Sequence, residues 1–596
     1  MNCITENTVN YIHRLKSSLS YDNCRIEFSK DSKKIIRFKK GDKYIYIGSK
    51  YNVNRDINNI LDKLVNINSQ NLIIIFGLGA GEYIKPLLES VKDENRILIV
   101  EPSLEIIKLF LDEDYCNLLS DERIYLTHFE KGLENFLYSF IKINDLYNMT
   151  PIVYAGYDKI FSAECIEFFH CLNKVRSNLL IEFNTSLSIS RSIFYSTIKN
   201  MYCISNSIPI NNLKKIYEGM TAIVISAGPS LEKNIDQLKQ LQKNFILISG
   251  LRNLKGLLKI GVFPDFVCIL DALDINYEFI KDCINLNIPM VFHEASNYKV
   301  INSYKGPKIL FLHNTKLSEF LCKKIDSLYQ GGSVAHICTS FAAYIGCSTI
   351  IFIGQDLAYT DDKFHAGAAS FGDEIKDYKL EEKYTLTDDI YGNKIKTDSV
   401  FNLFREKLED FIEYNKDITF INSTEGGANI RGTQVMPLKD SGKVYGKNGK
   451  DKRILKSIMD SEENRLDGKK IKEFLLNNKK SLEYMIKKIK KDKKFIDNLY
   501  LYYNENSNIN INKTMDELDK LDRFIQKNCD EFILINDLLE PVILETMYRK
   551  DMIVFSEDKE IDKGKKIAKK YKILYENIEK GINFAIPLFE ASIEKF

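Results

Sequence analysis

The fold of this chain is decided by TAIVISAGPSL at residues 221–231 and by TIIFIGQDLAYT at residues 349–360. In each stretch an apolar run of four residues leads directly into small and polar residues. Between them lie further strand-like segments, NFILISG, FPDFVCILDA, IPMVFHEA and KILFLH, with helix-like text between several of them. Strands that alternate with helices predict a parallel, doubly wound sheet. We place this domain at residues 206–447.

The same pattern occurs upstream, where NLIIIFGLGAGEYIKPLLES (residues 71–90) is followed by RILIVEPSLEIIKLFL (residues 96–111). We expect a second Rossmann-like domain at residues 66–205, preceded at 1–65 by a helix and a β-hairpin that turns at Gly41-Asp42. From residue 448 to 596, glycine and proline become scarce and apolar residues recur at helical spacing. The predicted fold class is α/β multidomain, with two Rossmann-like doubly wound domains followed by a helical C-terminal domain.

Composition narrows the function classes. The chain has 596 residues with 84 Lys+Arg against 82 Asp+Glu, a net charge of +2, so no global field favours nucleic acid or membrane. Its apolar runs are far shorter than the roughly 20 residues of a membrane span, and the N-terminus lacks the apolar block of a signal peptide. The 12 cysteines include no C-x-x-C pair. We expect a cytoplasmic protein without a zinc site or a disulfide scaffold.

A glycine-rich loop follows the first strand of the upstream domain. Gly77, Gly79 and Gly81 come directly after LIIIF, and Glu101 ends the next strand. This pattern is typical of dinucleotide and methyltransferase folds, in which the loop approaches a cofactor and the acidic residue binds a ribose. It lacks a catalytic set around it, and we favour a Rossmann-like scaffold over a cofactor site.

The central domain has polar residues at several strand ends and helix starts. Gly228 and Pro229 predict a tight turn after the strand AIVI, and Ser230 is placed to cap the following helix. Asp271, Gly332-Ser333 and Gln355-Asp356 occupy similar positions after later strands or before a helix. Carboxyl ends of parallel strands are where doubly wound sheets bind ligands, and helix N-termini attract phosphate. The pattern therefore predicts a nucleotide crevice.

These motifs carry a family resemblance. Residues 221–366 resemble the motility-associated-factor (Maf) glycosyltransferases, which glycosylate flagellin, through AGPSL, G-x-FPD-x5-D, GGSVAH and GC-x3-IFIGQDLAYTD-x3-HA. The upstream GLGAGEY and VEPS text and the helical C-terminal region also resemble that family's layout. The family's central domain is similar to bacterial sialyltransferases that use CMP-activated sugars. The resemblance implies transfer of a nonulosonic acid, of the pseudaminic or legionaminic type, from CMP to Ser or Thr of flagellin.

The resemblance also implies roles for individual residues. Contacts with the CMP-sugar fall to Gly228, Pro229, Ser230, Asp271, Gly332, Ser333 and Gln355, and the catalytic set is Asp356, Tyr359, Lys363 and His365. Asp356 and His365 are the candidate bases, while Tyr359, Lys363 and His365 are candidates to face the leaving phosphate. Glu425 is an alternative base. We expect no metal site and no required cofactor, although Mg²⁺ could stimulate transfer.

Two departures from the sialyltransferases stand out. The tyrosine that they carry two residues after the strand-end aspartate is Ala358 here, and Tyr359 follows it. Their general base is a histidine well downstream of that strand, whereas His365 is the last histidine of this chain. The sequence therefore does not identify the general base.

Three other functions are alternatives to glycosyl transfer. Archaeal hydroxymethylpterin pyrophosphokinases, which use ATP, resemble the same central domain. A non-enzymatic flagellin-binding or export adaptor would need no base, and a methyltransferase would use the GLGAGEY loop. Residues 451–500 hold 15 Lys+Arg against 9 Asp+Glu, which is either the solvated face of a helical bundle or a docking surface for an acidic partner. The oligomeric state is open.

Overall fold

Two units make up the fold, and each is assembled from segments that are separate in sequence. The first comprises Met1–Leu187, Asp492–Leu518 and Ile543–Glu576; the second comprises Ser188–Lys491, Asp519–Val542 and Asn577–Phe596. The structure is a computed structural model. It describes residues 6, 8–10, 23–65, 67, 70–112, 114–129, 132–313, 317–321, 324–363, 365–369, 384–446, 452–461, 465–505, 508–547, 549, 552, 554 and 558–596. The helix expected at the start of 1–65 lies mostly outside these residues, and the domain boundaries at 65, 205 and 447 stay predictions.

The first unit contains two sheets. The strands of the antiparallel sheet, in the order β1-β2-β3, are β1 (Cys24–Phe28), β2 (Lys34–Lys40) and β3 (Lys43–Ile47). The expected turn at Gly41-Asp42 joins β2 to β3. The strands of the parallel sheet, in the order β6-β5-β4-β7, are β4 (Leu72–Phe76), β5 (Arg96–Glu101), β6 (Ile124–His128) and β7 (Met149–Val153). The helices are Val53–Leu61, Ile84–Ser90, Leu104–Asp112, Leu133–Phe140 and Tyr157–Ile160.

The second unit is built on a nine-stranded parallel sheet. Its strands are β8 (Ile208–Pro209), β9 (Thr221–Ile225), β10 (Ile246–Gly250), β11 (Phe266–Cys268), β12 (Met290–Phe292), β13 (Lys308–Leu310), β14 (Thr349–Ile353), β17 (Thr419–Asn422) and β18 (Gln434–Val435). Every residue of β9 and β14 is buried, as the uninterrupted apolar runs predict for strands covered on both faces. A separate antiparallel hairpin contains β15 (Thr385–Asp388) and β16 (Lys394–Thr397).

The strand order places a topological switch point between β9 and β14. The order is β18-β17-β14-β9-β10-β11-β12-β13-β8. From β9 the chain adds β10 to β13 on one side, then returns to place β14 on the other side of β9. Loops that leave two such neighbouring strands diverge and open a crevice at the carboxyl edge of the sheet. The two stretches that decide the fold therefore also form this crevice.

Helices make up most of the rest of the chain. Those around the nine-stranded sheet are Leu238–Leu241, Leu251–Lys259, Ile275–Ile280, Tyr298–Ser303, Leu317–Phe320, Val334–Tyr344, Ser399–Tyr414, Leu438–Tyr445 and Lys452–Asp460. Longer helices are Ser162–Ser205, Gly468–Glu505, Ile511–Glu531, Ile533–Met547 and Glu560–Ile593. The expected α/β class is confirmed as a mixed α/β fold with parallel sheets and a large helical portion, and the layout of two Rossmann-like domains followed by a helical C-terminal domain stays a prediction. In the part of the chain that the structure describes, no helix has both the length and the apolarity of a membrane span.

Candidate functional site

Asp356 ties the loop after β14 to the loop after β9. Its carboxylate accepts two hydrogen bonds from Ser230, one from the hydroxyl at 2.5 Å and one from the main-chain N–H at 3.1 Å. Gly228 permits this approach, because a Cβ there would lie 2.2 Å from Asp356 Oδ1 and 2.5 Å from the carbonyl oxygen of Gly354. A bond between the side chains of Ser226 and Gln355 also joins these loops. The structure thus brings together these residues predicted from the sequence: Gly228, Pro229, Ser230, Gln355 and Asp356.

A third loop, after β17, closes over Asp356. The main-chain carbonyl of Asp356 accepts a hydrogen bond from the N–H of Ala428 at 2.7 Å. Gly427, with a φ of +78°, allows the contact, because a Cβ there would lie 2.4 Å from the Cα of Asp356. Glu425 belongs to this loop, and its carbonyl accepts a hydrogen bond from Lys233 at 2.9 Å. Asp356 is therefore enclosed by three loops.

Ser230 does not cap a helix, which corrects the expectation from the sequence. After Gly228 the chain forms two 3-10 turns, Pro229–Lys233 and Ile235–Gln237, and then only one α-helical turn, Leu238–Leu241. The Ser230 hydroxyl is committed to Asp356, so it does not satisfy the N–H groups of the turn. The segment after Gly228 therefore offers only 3-10 turns and a single α-helical turn at this edge.

Asp356 is a buried carboxyl group. The residue is 2% exposed. Burial raises the pKa of the Asp356 carboxyl, and the hydrogen bonds from Ser230 act in the opposite direction. Both carboxylate oxygens serve Ser230, so the carboxylate fixes the turn after β9. Its expected action on the reacting sugar stays a prediction.

The helix Val334–Tyr344 supplies the helix N-terminus, as the GGS motif predicts. Its N-cap residue, Ser333, turns its hydroxyl to Nδ1 of His336 at 2.7 Å instead of to a helical N–H. Nε2 of His336 lies 2.9 Å from the carbonyl oxygen of Phe404, which only accepts, so Nε2 carries the proton and Nδ1 accepts from Ser333. Burial lowers the pKa of His336 to about 4, and the ring stays neutral at pH 7.

This helix terminus lies at the carboxyl end of β10. A Cβ on Gly250, the last residue of β10, would lie 3.1 Å from Cγ1 of Val334. Within the described residues, no side chain caps the first N–H groups of the helix. These groups and the helix dipole favour a phosphate or another anion. Because β9 and β10 are adjacent strands, the Gly228 turn and the helix start at Gly332 and Ser333 follow neighbouring positions along the carboxyl edge.

Asp271 extends the crevice along the same edge. It follows β11, which is two strands away from β9, or about 10 Å at the usual strand spacing. Burial raises the pKa of the Asp271 carboxyl, while the nearby His293 lowers it. A nucleotide whose phosphate lies at the helix terminus could reach Asp271 with its ribose or base.

His365 lies against the turn after β9. Its neighbour Ala366 donates a main-chain hydrogen bond to the carbonyl of Ala227 at 2.9 Å. Burial, and then the positive charge of Arg252, lowers the pKa of His365 to about 4. The ring is neutral near pH 7 but holds a proton weakly. An efficient general base has a pKa nearer the working pH.

Tyr359 and Lys363 are placed differently. The Tyr359 hydroxyl donates to the carboxylate of Asp398, the N-cap of Ser399–Tyr414, and its ring lies 5.4 Å from that of Phe401. Lys363 is exposed. Their expected role of facing the leaving phosphate stays a prediction.

Arg252 is a residue that sequence analysis missed. It is the second residue of the helix Leu251–Lys259, directly after β10, and its guanidinium lies 4.5 Å from the ring centre of Phe279. Its charge also acts on His365 at the switch point. Guanidinium groups suit phosphate oxygens. Its position just after the strand ILISG is a signal that the sequence contains.

The glycine-rich loop of the first unit is filled by the chain's own tyrosines. A Cβ on Gly77 would lie 2.5 Å from the Tyr157 ring, and a Cβ on Gly79 would lie 2.6 Å from the Tyr154 ring. The Tyr157 hydroxyl accepts the N–H of Gly79 at 2.8 Å and donates to Glu101 at 2.6 Å. The loop groups that a cofactor would use are thus satisfied internally, which supports the scaffold interpretation.

Glu101 is the buried acceptor of this arrangement. Its carboxylate also accepts the N–H groups of Leu78 at 2.8 Å and Ser103 at 2.9 Å. Burial raises the pKa of Glu101 to about 7, and the bond from Tyr157 opposes that rise. Between its ordinary pKa and pH 7 the folded chain binds more protons at Glu101 than the unfolded chain does. The contribution of Glu101 to the free energy of unfolding therefore falls as pH rises through this range.

We expect a Tyr157→Phe exchange to cost about 1 kcal/mol of stability at pH 5 and about 3 kcal/mol at pH 8. At either pH the N–H of Gly79 loses its acceptor, and at pH 8 the ionised Glu101 also loses a charge-assisted hydrogen bond. Urea unfolding followed by circular dichroism measures both values. Tyr154→Phe is the control, since its hydroxyl makes no hydrogen bond to any described residue. An equal cost at both pH values would contradict the role given to Glu101.

The central part of the chain is similar to pterin diphosphokinases. The family model described as "6-hydroxymethylpterin diphosphokinase MptE-like" matches residues 195–362, which contain β8 to β14. The 6-hydroxymethyl-7,8-dihydropterin pyrophosphokinase of Methanocaldococcus jannaschii is 26% identical over 200 residues, which cover 32% of this chain and 82% of that protein. Both similarities concern part of the chain.

A solved structure is similar over the full length. The MAf glycosyltransferase from Magnetospirillum magneticum AMB-1 aligns with a TM-score of 0.63 and 13% identity, covering 99% of this chain and 96% of that chain. At this identity the likeness shows a shared fold. The chain thus has the fold of a Maf glycosyltransferase, with a central segment similar to MptE-like pterin diphosphokinases.

Proposed function

We propose that the chain is an inverting protein O-glycosyltransferase that moves a nonulosonic acid from CMP to Ser or Thr of flagellin in the cytoplasm. The observation that carries the proposal is the switch-point crevice, in which the Gly228 turn, fixed by Asp356, lies beside the uncapped N-terminus of Val334–Tyr344. The full-length likeness to a glycosyltransferase structure supports it.

In this proposal the helix N-terminus receives the CMP phosphate. Main-chain N–H groups there stabilise the charge that grows on the phosphate as the sugar leaves, and Arg252 adds a cation at the next strand end. Gly228 lets the main chain approach the nucleotide, and Asp271 is in reach of the ribose or base. Cofactors are not required, and Mg²⁺ is a stimulant at most. We place flagellin recognition on the helical portion after residue 448.

The second candidate is ATP-dependent pyrophosphoryl transfer to a hydroxymethylpterin. The match of residues 195–362 and the similarity to the archaeal enzyme favour it. The same helix N-terminus would then hold the phosphates of ATP. The first unit and the long C-terminal helices have no evident task in a reaction between two small molecules, whereas a protein acceptor needs surface to be recognised.

Calorimetric titration with CMP, ATP and S-adenosylmethionine separates these functions. We expect CMP to bind, and flagellin incubated with the chain and a CMP-linked nonulosonic acid to gain the mass of one or more sugars. Binding of ATP without CMP would support the pterin enzyme. Binding of S-adenosylmethionine would reopen the methyltransferase. A chain that binds none of the three ligands but still binds flagellin would favour the adaptor.

An Ala335→Asp exchange is expected to weaken CMP binding at least tenfold without destabilising the chain. Ala335 is the second residue of Val334–Tyr344, where a carboxylate stabilises the helix but repels a phosphate. Ala335→Asn, which has a similar shape without charge, is the matched control and should weaken binding less than threefold. Equal affinities for CMP in the Asp and Asn variants would place the phosphate elsewhere.

A further inference from the structure

Two histidines stand at the carboxyl edge on the far side of Asp271. His293 comes directly after β12, and His313 follows β13, the next strand of the sheet. Main-chain pairing continues past the strands, because the N–H of Phe311 donates to the carbonyl of Phe292 at 3.0 Å. The two imidazole rings lie 5.8 Å apart. Both therefore belong to the edge that holds the predicted ligand.

His293 has no capacity left for a ligand. The residue is only 6% exposed. Nε2 lies 2.6 Å from the carbonyl oxygen of Leu270, which only accepts, so Nε2 carries the proton. Nδ1 accepts the N–H of Ala295 at 3.3 Å. His293 is thus a fixed structural residue beneath Asp271.

His313 is arranged in the opposite way. Its ring is exposed, and Nδ1 lies 2.8 Å from Oε1 of Gln330. An amide oxygen only accepts, so Nδ1 carries the proton, and in the neutral ring Nε2 presents a lone pair. The main chain is also held, since the N–H of His313 donates to buried Glu294 at 3.0 Å. The structure therefore orients this imidazole as a proton acceptor.

Gln330 connects this histidine to the proposed phosphate site. It directly precedes Gly331 of the turn that opens the helix Val334–Tyr344. A ring held by Gln330 is therefore joined, through this turn, to the helix terminus where the proposed function places the phosphate. This position also answers the departure noted in the sequence, where no histidine follows His365 to act as base.

We propose that His313 is the general base of the transfer and that Gln330 is the residue that positions it; the inference rests on the proposed function. Nε2 of His313 takes the proton of the acceptor hydroxyl as the oxygen attacks the anomeric carbon. The bond from that carbon to the phosphate oxygen breaks, and CMP leaves with the electron pair. The proton on His313 is later released to solvent, so the step needs no further reactant.

His313→Ala tests the proposal in the full chain with purified flagellin as the acceptor. The donor is the CMP-linked nonulosonic acid from which the wild-type chain releases most CMP. We expect kcat to fall at least 100-fold, with calorimetric affinity for CMP changed less than twofold. His170→Ala, which removes an exposed histidine of the first unit, should keep the wild-type kcat. A His313→Ala variant with at least a third of the wild-type kcat overturns the inference alone. A wild-type chain that neither binds CMP nor modifies flagellin overturns the proposed function instead.

Gln330 is tested by a readout that needs no substrate. In ¹⁵N spectra of the histidine-labelled chain at pH 8, we expect His313 to show a protonated Nδ1 and an unprotonated Nε2. Gln330→Leu should shift the ring toward the other tautomer and lower kcat about tenfold. Gln330→Glu keeps an acceptor for Nδ1 and should retain most activity. A wild-type spectrum with the proton on Nε2 contradicts the proposal.

Discussion

An Asp356→Ala exchange is expected to lower the free energy of unfolding by about 3 kcal/mol and to abolish CMP binding. The hydroxyl and the N–H of Ser230 would both lose their acceptor at a buried position. The turn that contains Gly228 would then be free to move away from β14. Chemical unfolding and calorimetry measure the two effects. Asp236→Ala removes an exposed carboxylate from the same segment and should change stability by less than about 0.5 kcal/mol.

Asp356→Asn separates position from charge. The amide can accept the N–H of Ser230 with Oδ1 and donate from Nδ2 to the Ser230 hydroxyl oxygen, so the turn keeps both bonds. We expect stability within about 1 kcal/mol of the wild type and CMP affinity within threefold. A 100-fold loss of transfer with intact binding would make the carboxylate necessary for the chemistry. An Asn variant as unstable as the Ala variant would contradict the hydrogen-bonding argument.

The strands were the part of the fold that the sequence predicted well. β9 and β14 are buried on both faces, so their signature is an uninterrupted apolar run, and such runs are conspicuous in a chain with 28% charged residues. Glycines and polar residues after these runs also marked the carboxyl edge, because a ligand edge needs turns and hydrogen-bonding groups. That reasoning located the Gly228 and Gln355 loops and the helix that begins after Ser333.

The conformation of those loops was less accessible. Ser230 reads as a helix cap when only its neighbours are considered, yet its partner Asp356 is 126 residues away in the sequence. A pairing of this kind depends on strand order, which local propensity does not report. The same holds in the first unit, where Tyr157 fills the glycine loop from 78 residues downstream of Gly79. His313 needed Gln330 beside it before its free nitrogen could be assigned.

A Gly228→Ala exchange adds a methyl group where the site has no room for one, and we expect it to cost about 3 kcal/mol and to lower the Tm by roughly 4 °C. The new Cβ would lie 2.2 Å from Asp356 Oδ1, 2.6 Å from Asp356 Cγ and 2.5 Å from the carbonyl oxygen of Gly354. The turn cannot move back, because the N–H of Gly228 donates to that same carbonyl at 2.8 Å. Asp356 cannot move either without breaking its bonds to Ser230.

Gly250→Ala is the matched control for that exchange. Gly228 and Gly250 follow or end adjacent parallel strands, and both have negative φ, −64° and −77°, so neither substitution strains the main chain. At Gly250 the nearest atom to a Cβ is Cγ1 of Val334 at 3.1 Å, which belongs to a side chain that can shift. We expect less than about 1 kcal/mol there. Both exchanges reduce the conformational entropy of the unfolded chain by the same amount, so the difference between the two Tm values measures the contact with Asp356. Equal Tm values for Gly228→Ala and Gly250→Ala would mean that Asp356 does not hold the two loops together.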